Sequence, residues 1–102
     1  MVNEAKPIVT WGKRAYGSLQ KAYKNIEKDS LQNAIKVRDD LLLMTRELAN
    51  NPEKHPLDKF KRKNNGDYRA FEKHSYRISY KYTVKSIKVI RLRHVRQGPK
   101  MY

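Results

Sequence analysis

The chain has 102 residues, of which 38% are hydrophobic and 33% charged, with 24 Lys and Arg against 10 Asp and Glu. This length allows one domain with one modest core, and the lack of cysteine excludes disulfides, thiolate metal sites and cysteine nucleophiles. No apolar run approaches the roughly 20 residues that span a bilayer, and residues 1–7 lack the apolar stretch of a signal peptide. The sequence therefore predicts a cytoplasmic protein with no membrane partner.

Positive charge is concentrated in the second half of the chain. Residues 54–102 contain 15 Lys and Arg against three acidic residues, whereas residues 1–53 contain nine against seven. An excess that served only solubility would be scattered, so this asymmetry predicts a polyanionic partner, with nucleic acid as the leading candidate.

The first half of the chain has the pattern of a short strand and two helices. Residues 7–10 are typical of an extended segment, and apolar residues at three- and four-residue steps predict a helix over 11–28. Asp29 and Ser30 offer capping oxygens for a second helix, which ends at Asn50-Asn51-Pro52. So short a connection predicts an antiparallel helical hairpin.

The second half has the pattern of a sheet. A polar, basic loop over 53–66 precedes predicted strands at 68–73, 76–82 and 87–95, and the last has apolar residues at both odd and even positions. We therefore expect it to be a central strand covered on both faces. The predicted fold class is α+β, with an N-terminal strand and the helical hairpin packed on a twisted, mainly antiparallel four-stranded sheet. It forms one domain, 1–102, with flexible ends at 1–7 and 97–102.

Most catalytic constellations are missing from the sequence. There is no glycine-rich phosphate loop, no serine elbow and no metal-spaced His/Cys cluster, so we expect neither a metal nor another cofactor. The basic half instead offers arginine, lysine, histidine and tyrosine. Such side chains can hold a phosphodiester and stabilise its charge in a transition state.

Several segments, taken in order, resemble the RelE/ParE superfamily, whose members are toxins of type II toxin–antitoxin modules, also known as plasmid stabilization proteins. The segments that carry the resemblance are Trp11 after the first strand, Asp29-Ser30 to Leu48-Ala49 and Pro52 in the helix pair, His55-Pro56-Leu57-Asp58-Lys59, Tyr76–Tyr80 and Ile90–His94.

RelE-like members cleave mRNA on the ribosome without a metal and so block translation. The resemblance implies that Arg77, Arg96, Tyr102 and Arg69 fall on catalytic positions. Phe71 stands where a second lysine is expected, which leaves the proton acceptor open. The candidates for proton transfer are His94, Glu72 and Lys73, and those for RNA or phosphate binding are Lys59, Lys61, Arg62, Lys63, Arg91 and Arg93.

ParE-like members instead poison DNA gyrase and are not nucleases. The helix pair resembles theirs, whereas the tail from Arg96 to Tyr102 favours mRNA cleavage, which is the first expectation. Gyrase inhibition is the alternative, and a non-catalytic RNA-binding protein is a third. Each arginine alone also fits an ordinary solvated strand position. Both toxin hypotheses imply a cognate antitoxin with an acidic and apolar segment that screens the basic face.

Overall fold

The computed structural model of the protein describes residues 6–98 and 100–102. Within them neither helix combines the length and the apolar character needed to cross a lipid bilayer. The elements in chain order are β1 (Ile8–Trp11), α1 (Lys13–Glu27), α2 (Leu31–Glu47), β2 (Tyr68–Lys73), β3 (Tyr76–Tyr82), β4 (Ser86–His94) and a 3₁₀ turn (Val95–Gln97).

The four strands form one sheet in the order β1-β4-β3-β2. β1 runs parallel to β4, and the other two pairings are antiparallel. His74 and Ser75, both with positive φ, make the two-residue turn between β2 and β3. The predicted α+β fold with a mainly antiparallel four-stranded sheet is confirmed.

α1 begins slightly later than the sequence pattern predicts, whereas α2 begins directly after its predicted cap. The Gly12 N–H donates to the Val89 carbonyl at 2.8 Å, which continues the pairing of β1 with β4 and keeps Gly12 extended until α1 starts at Lys13. Ser30 caps α2, since its Oγ accepts from the Asn33 N–H at 3.1 Å.

The apolar stripes of α1 and α2 pack on one side of the sheet, which we call the helical face. The buried core residues of this layer are Ala15, Leu19, Ala22, Val37, Leu41, Leu48, Phe71, Tyr76, Ile78, Tyr80, Ile87, Val89 and Leu92. Trp11 links sheet to helix, because its Nε1 donates to Thr45 Oγ1 at 3.3 Å. The core therefore has one layer of helix over one layer of sheet.

A β-bulge explains the mixed pattern of β4 and corrects the expectation that this strand is covered by apolar side chains on both faces. Val89 pairs with Tyr80 and Arg91 pairs with Ser79, so Ile90 is an extra residue without a partner on β3. Because one extra residue reverses the alternation, Val89 and Leu92 point to the same helical face.

The sequence predicts a flexible end at 97–102. In the structure, hydrogen bonds hold the described residues of this segment. The Gln97 side chain accepts from the His94 N–H at 3.0 Å, and Tyr102 is hydrogen-bonded through both backbone and side chain. Pro99 lies outside the described residues, as do residues 1–5 of the expected flexible segment 1–7. Lys6 donates to Asn50 Oδ1 at 2.6 Å.

Candidate functional site

The side of the sheet opposite the helices carries most of the candidate residues, and we call it the polar face. Strand register assigns its members, because side chains directly opposite each other on paired strands point to the same side. They are Tyr68, Ala70 and Glu72 of β2, Arg77, Ser79 and Lys81 of β3, and Lys88, Arg91 and Arg93 of β4.

The loop after α2 folds back along β2 and brings Asp58 to this face. The Asp58 N–H donates to the Tyr68 carbonyl at 2.9 Å, and Leu57 forms an isolated bridge with Arg69. Asn64 fixes the loop further, since its Nδ2 donates to the Tyr68 carbonyl at 2.8 Å. As a result the Asp58 side chain is 0% exposed although it belongs to a loop.

Asp58 is the centre of a hydrogen-bonded cluster. Its Oδ1 accepts from Arg77 Nη2 at 3.0 Å and from the Phe60 N–H at 3.1 Å, and its Oδ2 accepts from the Tyr102 hydroxyl at 2.5 Å. Burial by itself raises the pKa of this carboxyl, but hydrogen bonds from Tyr102 and Arg77 outweigh it and lower the pKa of Asp58. Asp58 is therefore a buried carboxylate stabilised by its donors.

Arg77 contacts two carboxylates. Besides Asp58, it donates from Nη1 to Glu72 Oε2 at 3.3 Å, and Glu72 lies directly opposite it on β2. Its guanidinium also lies over the Phe60 ring, 4.8 Å from the ring centre, and the side chain is only 17% exposed. The positive charge of Arg77 is therefore compensated within the protein.

Tyr102 is held on three sides. Its N–H donates to the Phe60 carbonyl at 2.9 Å, and its carbonyl accepts from the Arg62 N–H at 2.6 Å. The Arg91 guanidinium lies 4.2 Å from the centre of its ring. Burial first, and then the hydrogen bond to Asp58, raises the pKa of the Tyr102 hydroxyl, so the phenol stays protonated.

A cavity of about 200 Å³ lies beside this cluster. Asp58, Arg77 and Tyr102 form part of its wall, and further cations line it, namely Lys59, Arg91, Arg93 and Lys100. Arg91 Nη1 donates to the Lys100 carbonyl at 3.0 Å. The buried Nε of Arg93 has no hydrogen-bond partner among the described residues. The cavity is therefore a positively charged recess, and an anion is the ligand that it favours.

Two of the four predicted catalytic residues do not join this cluster. Arg69 pairs with Tyr80 and so belongs to the helical face, where its Nη1 donates to the His55 carbonyl at 2.7 Å. Arg96 is exposed in the 3₁₀ turn and does not line the cavity. The structure thus unites Arg77 with Tyr102 and places Arg69 and Arg96 elsewhere.

The three candidates for proton transfer are also spread out. Glu72 is paired with Arg77, and Lys73 lies opposite Tyr76, hence on the helical side of β2. His94 lines the cavity, but its Nδ1 accepts from the Arg96 N–H at 3.0 Å and so caps the 3₁₀ turn. Glu72 and His94 therefore already have structural contacts, and Lys73 lies on the side of the sheet away from the cavity. None of the three is placed as a general base would need to be.

The basic loop residues differ in position. Lys59 lines the cavity, and Lys61 Nζ lies 4.7 Å from the Tyr68 ring centre. Arg62 and Lys63 are exposed. The described residues contain no group of three or more His, Asp or Glu side chains that could hold a metal ion.

Asp58 was not among the residues that sequence reasoning selected for the site. One signal could have pointed to it: it is one of only three acidic residues in 54–102. A lone acid in a strongly basic region is a natural partner for a buried arginine. Its actual partners lie 19 and 44 residues away, which sequence alone does not reveal.

A helical hairpin on one face of a small mixed sheet, with a basic recess on the other, agrees with the fold that the resemblance to toxins of toxin–antitoxin modules predicts. Residues 9–99 match the profile of the family described as ParE toxin of type II toxin-antitoxin system, parDE. The chain belongs to this family. Its partner is therefore an antitoxin.

A solved structure has the same fold. It is described as the chromosomal ParDE toxin–antitoxin system from P. aeruginosa, and the two chains are 14% identical with a TM-score of 0.67. The match covers 87% of this chain and 96% of the other. No sequence among the curated proteins matches the chain.

Proposed function

We propose that the chain is a toxin that inhibits DNA gyrase and does not cleave mRNA. The observation that carries this proposal is the Asp58 cluster, in which Arg77 and the Tyr102 hydroxyl both donate to the same carboxylate. These are the two residues that a RelE-like nuclease would need free on this face.

Metal-free cleavage of RNA requires three functions at the scissile phosphate: a base for the 2′-hydroxyl proton, a cation for the developing charge and a donor for the leaving oxygen. Arg77 is compensated by two carboxylates, and the Tyr102 hydroxyl donates to Asp58. Of the other described groups beside them, Glu72 is paired with Arg77, and the His94 Nδ1 accepts from the Arg96 N–H. The arrangement therefore suits binding better than catalysis.

Membership of the ParE family supports the same proposal, because ParE-like members act on gyrase. mRNA cleavage is the competing proposal, since Arg77 and Tyr102 do lie together beside a basic cavity. The antitoxin would neutralise the toxin by covering surfaces that gyrase needs. Its acidic residues would also screen the net charge of +14.

The test is a parallel assay of purified toxin on gyrase supercoiling of plasmid DNA and on mRNA in translating ribosomes. We expect loss of supercoiling and intact messenger, and both effects of the toxin should disappear when antitoxin is added. Cleavage of mRNA with unimpaired supercoiling would overturn the proposal.

A matched pair of variants makes this assay sharper. Arg96→Ala removes a predicted nuclease residue, whereas Arg46→Ala removes an exposed arginine from α2 on the other side of the sheet. If gyrase is the target, both variants should still block supercoiling and leave the messenger intact. A selective loss of mRNA cleavage in Arg96→Ala would support the nuclease.

A further inference from the structure

Two arginines on the two central strands face each other on the polar side of the sheet. Arg77 of β3 and Arg93 of β4 are directly opposed in the strand register. Like charges in this position destabilise an antiparallel pair unless nearby anions compensate them. The pair of Arg77 and Arg93 therefore needs nearby negative charge to offset the repulsion between the two guanidinium groups.

Compensation reaches only one member of the pair. Arg77 contacts Asp58 at 3.0 Å and Glu72 at 3.3 Å, whereas no carboxylate among the described residues lies within ion-pair distance of Arg93. The Nε atoms of Arg77 and Arg93 are both buried and have no hydrogen-bond partner in the same part of the chain, but only Arg93 also lacks a carboxylate. A buried donor without a partner is costly, and a ligand that accepts from it would remove the cost.

The surroundings of Arg93 are built to receive an anion. Arg93, Arg91 and Lys100 line the same cavity of about 200 Å³. Arg91 is held in place by its contact with the Tyr102 ring at 4.2 Å and by its hydrogen bond to the Lys100 carbonyl at 3.0 Å. A planar guanidinium fixed in this way is well suited to bind a phosphate through two parallel hydrogen bonds.

We propose that Arg91 and Arg93 bind a phosphate of a nucleic-acid backbone, without cleaving it. This inference rests on the proposed function for the source of the ligand, which would be the DNA that gyrase holds. Arg77 is not a ligand in this site; together with Asp58 it forms the rigid wall beside it.

The length of the basic surface favours a nucleic acid over an acidic protein segment. Lys88, Arg91 and Arg93 share the polar face of β4, and Lys81 lies opposite Lys88 on β3. At about 3.3 Å per residue, the distance from Lys88 to Arg93 is roughly 15 Å. Such a row of cations suits a nucleic-acid backbone, because its phosphates are evenly spaced. The acidic side chains of a protein segment have no fixed spacing.

The test measures binding of the full chain to a short fluorescein-labelled DNA duplex by fluorescence anisotropy at several salt concentrations. For Arg93→Gln we expect about tenfold weaker binding and a log–log salt slope that falls by about one. Arg46→Gln, which removes the same charge from exposed α2, should change affinity less than about twofold. Equal losses in the two variants would overturn the proposal.

Two further arms identify the ligand class. Unlabelled single-stranded RNA should compete through the same phosphate chemistry, whereas oligo-glutamate at equal charge concentration should compete at least tenfold less well. Competition by oligo-glutamate as strong as that by DNA would assign the site to an acidic protein segment and overturn the proposal. Arg93→Lys, which keeps the charge and loses the planar fork, should bind with intermediate affinity.

Melting temperatures separate a binding defect from a folding defect. Inorganic phosphate should raise the Tm of the wild type and of Arg46→Gln more than that of Arg93→Gln, since only the last lacks the site. An equal rise in all three would contradict the site. Gyrase inhibition is measured separately: if the wild type leaves gyrase active but loses DNA affinity on Arg93→Gln, the proposed function fails and the phosphate site stands.

Discussion

The two faces of the sheet are stabilised in different ways. The helical face buries apolar side chains from five elements, and any one of them contacts many neighbours, so its stability is distributed. The polar face depends on a few charged contacts centred on Asp58, whose side chain is as inaccessible as the core leucines. Burial of a charged side chain on the polar face therefore depends on one particular partner, and loss of that partner leaves the remaining charge uncompensated.

The largest effect is expected on the helical face. Leu41→Ala removes a side chain that is 0% exposed in α2 and leaves a cavity between the hairpin and the sheet. We expect a loss of about 4 kcal/mol in the free energy of unfolding, measured by urea denaturation. The exposed Leu43→Ala is the matched control and should cost less than about 1 kcal/mol.

Asp58→Asn tests whether the polar face is comparably sensitive. The substitution keeps the size of the side chain but leaves only the exposed Glu72 to compensate Arg77, so we expect a loss of about 3 kcal/mol. Exposed Asp39→Asn, whose partner Arg38 is also at the surface, is the control. If Asp58→Asn proved as mild as Asp39→Asn, the contrast between the two faces would not hold.

Tyr102→Phe removes one hydrogen bond to Asp58 and keeps the ring. Because the acceptor is charged, we expect a loss of about 1.5 kcal/mol near neutral pH. The pKa of Tyr102 is raised in the folded state, so its contribution is present below the ordinary tyrosine value, near pH 10, and declines at higher pH.

The pH dependence of the free energy of unfolding above about pH 10 distinguishes Tyr102→Phe from the wild type. Unfolding free energy of the wild type should fall more steeply above about pH 10 than that of Tyr102→Phe. The variant should keep part of the slope, because burial also raises the pKa of Tyr80 to about 12. Identical slopes in the two proteins would show that the Tyr102 hydroxyl is neither buried nor bonded to Asp58 in solution.

The smallest effect is expected for Glu72→Gln. Glu72 also contacts Arg77, but its side chain is 55% exposed, so solvent screens the pair. We expect a loss of about 0.5 kcal/mol that shrinks further at high salt. A loss as large as that of Asp58→Asn would mean that Arg77 depends equally on both carboxylates.

Sequence patterns predicted the helical face well, because its signals are local. The periodicity of α1 and α2 and the alternation along β3 follow from repeat distances of a few residues. The polar face was less predictable, since the contact between Asp58 and Tyr102 joins residues 44 positions apart. Arg69 was assigned to the wrong group of residues because only strand register decides that it faces His55 rather than Arg77.

The bulge at Ile90 holds the one residue by which β4 is longer than the stretch of β3 it pairs with. Deletion of Ile90 would place Val89 next to Arg91 and restore simple alternation. Leu92 would still face the helices, and Arg91 and Arg93 would still lie on the polar face. A single missing codon at Ile90 would thus leave both sides of the strand unchanged, so natural variation at this point should tolerate loss of this residue while the residues on either side keep their faces.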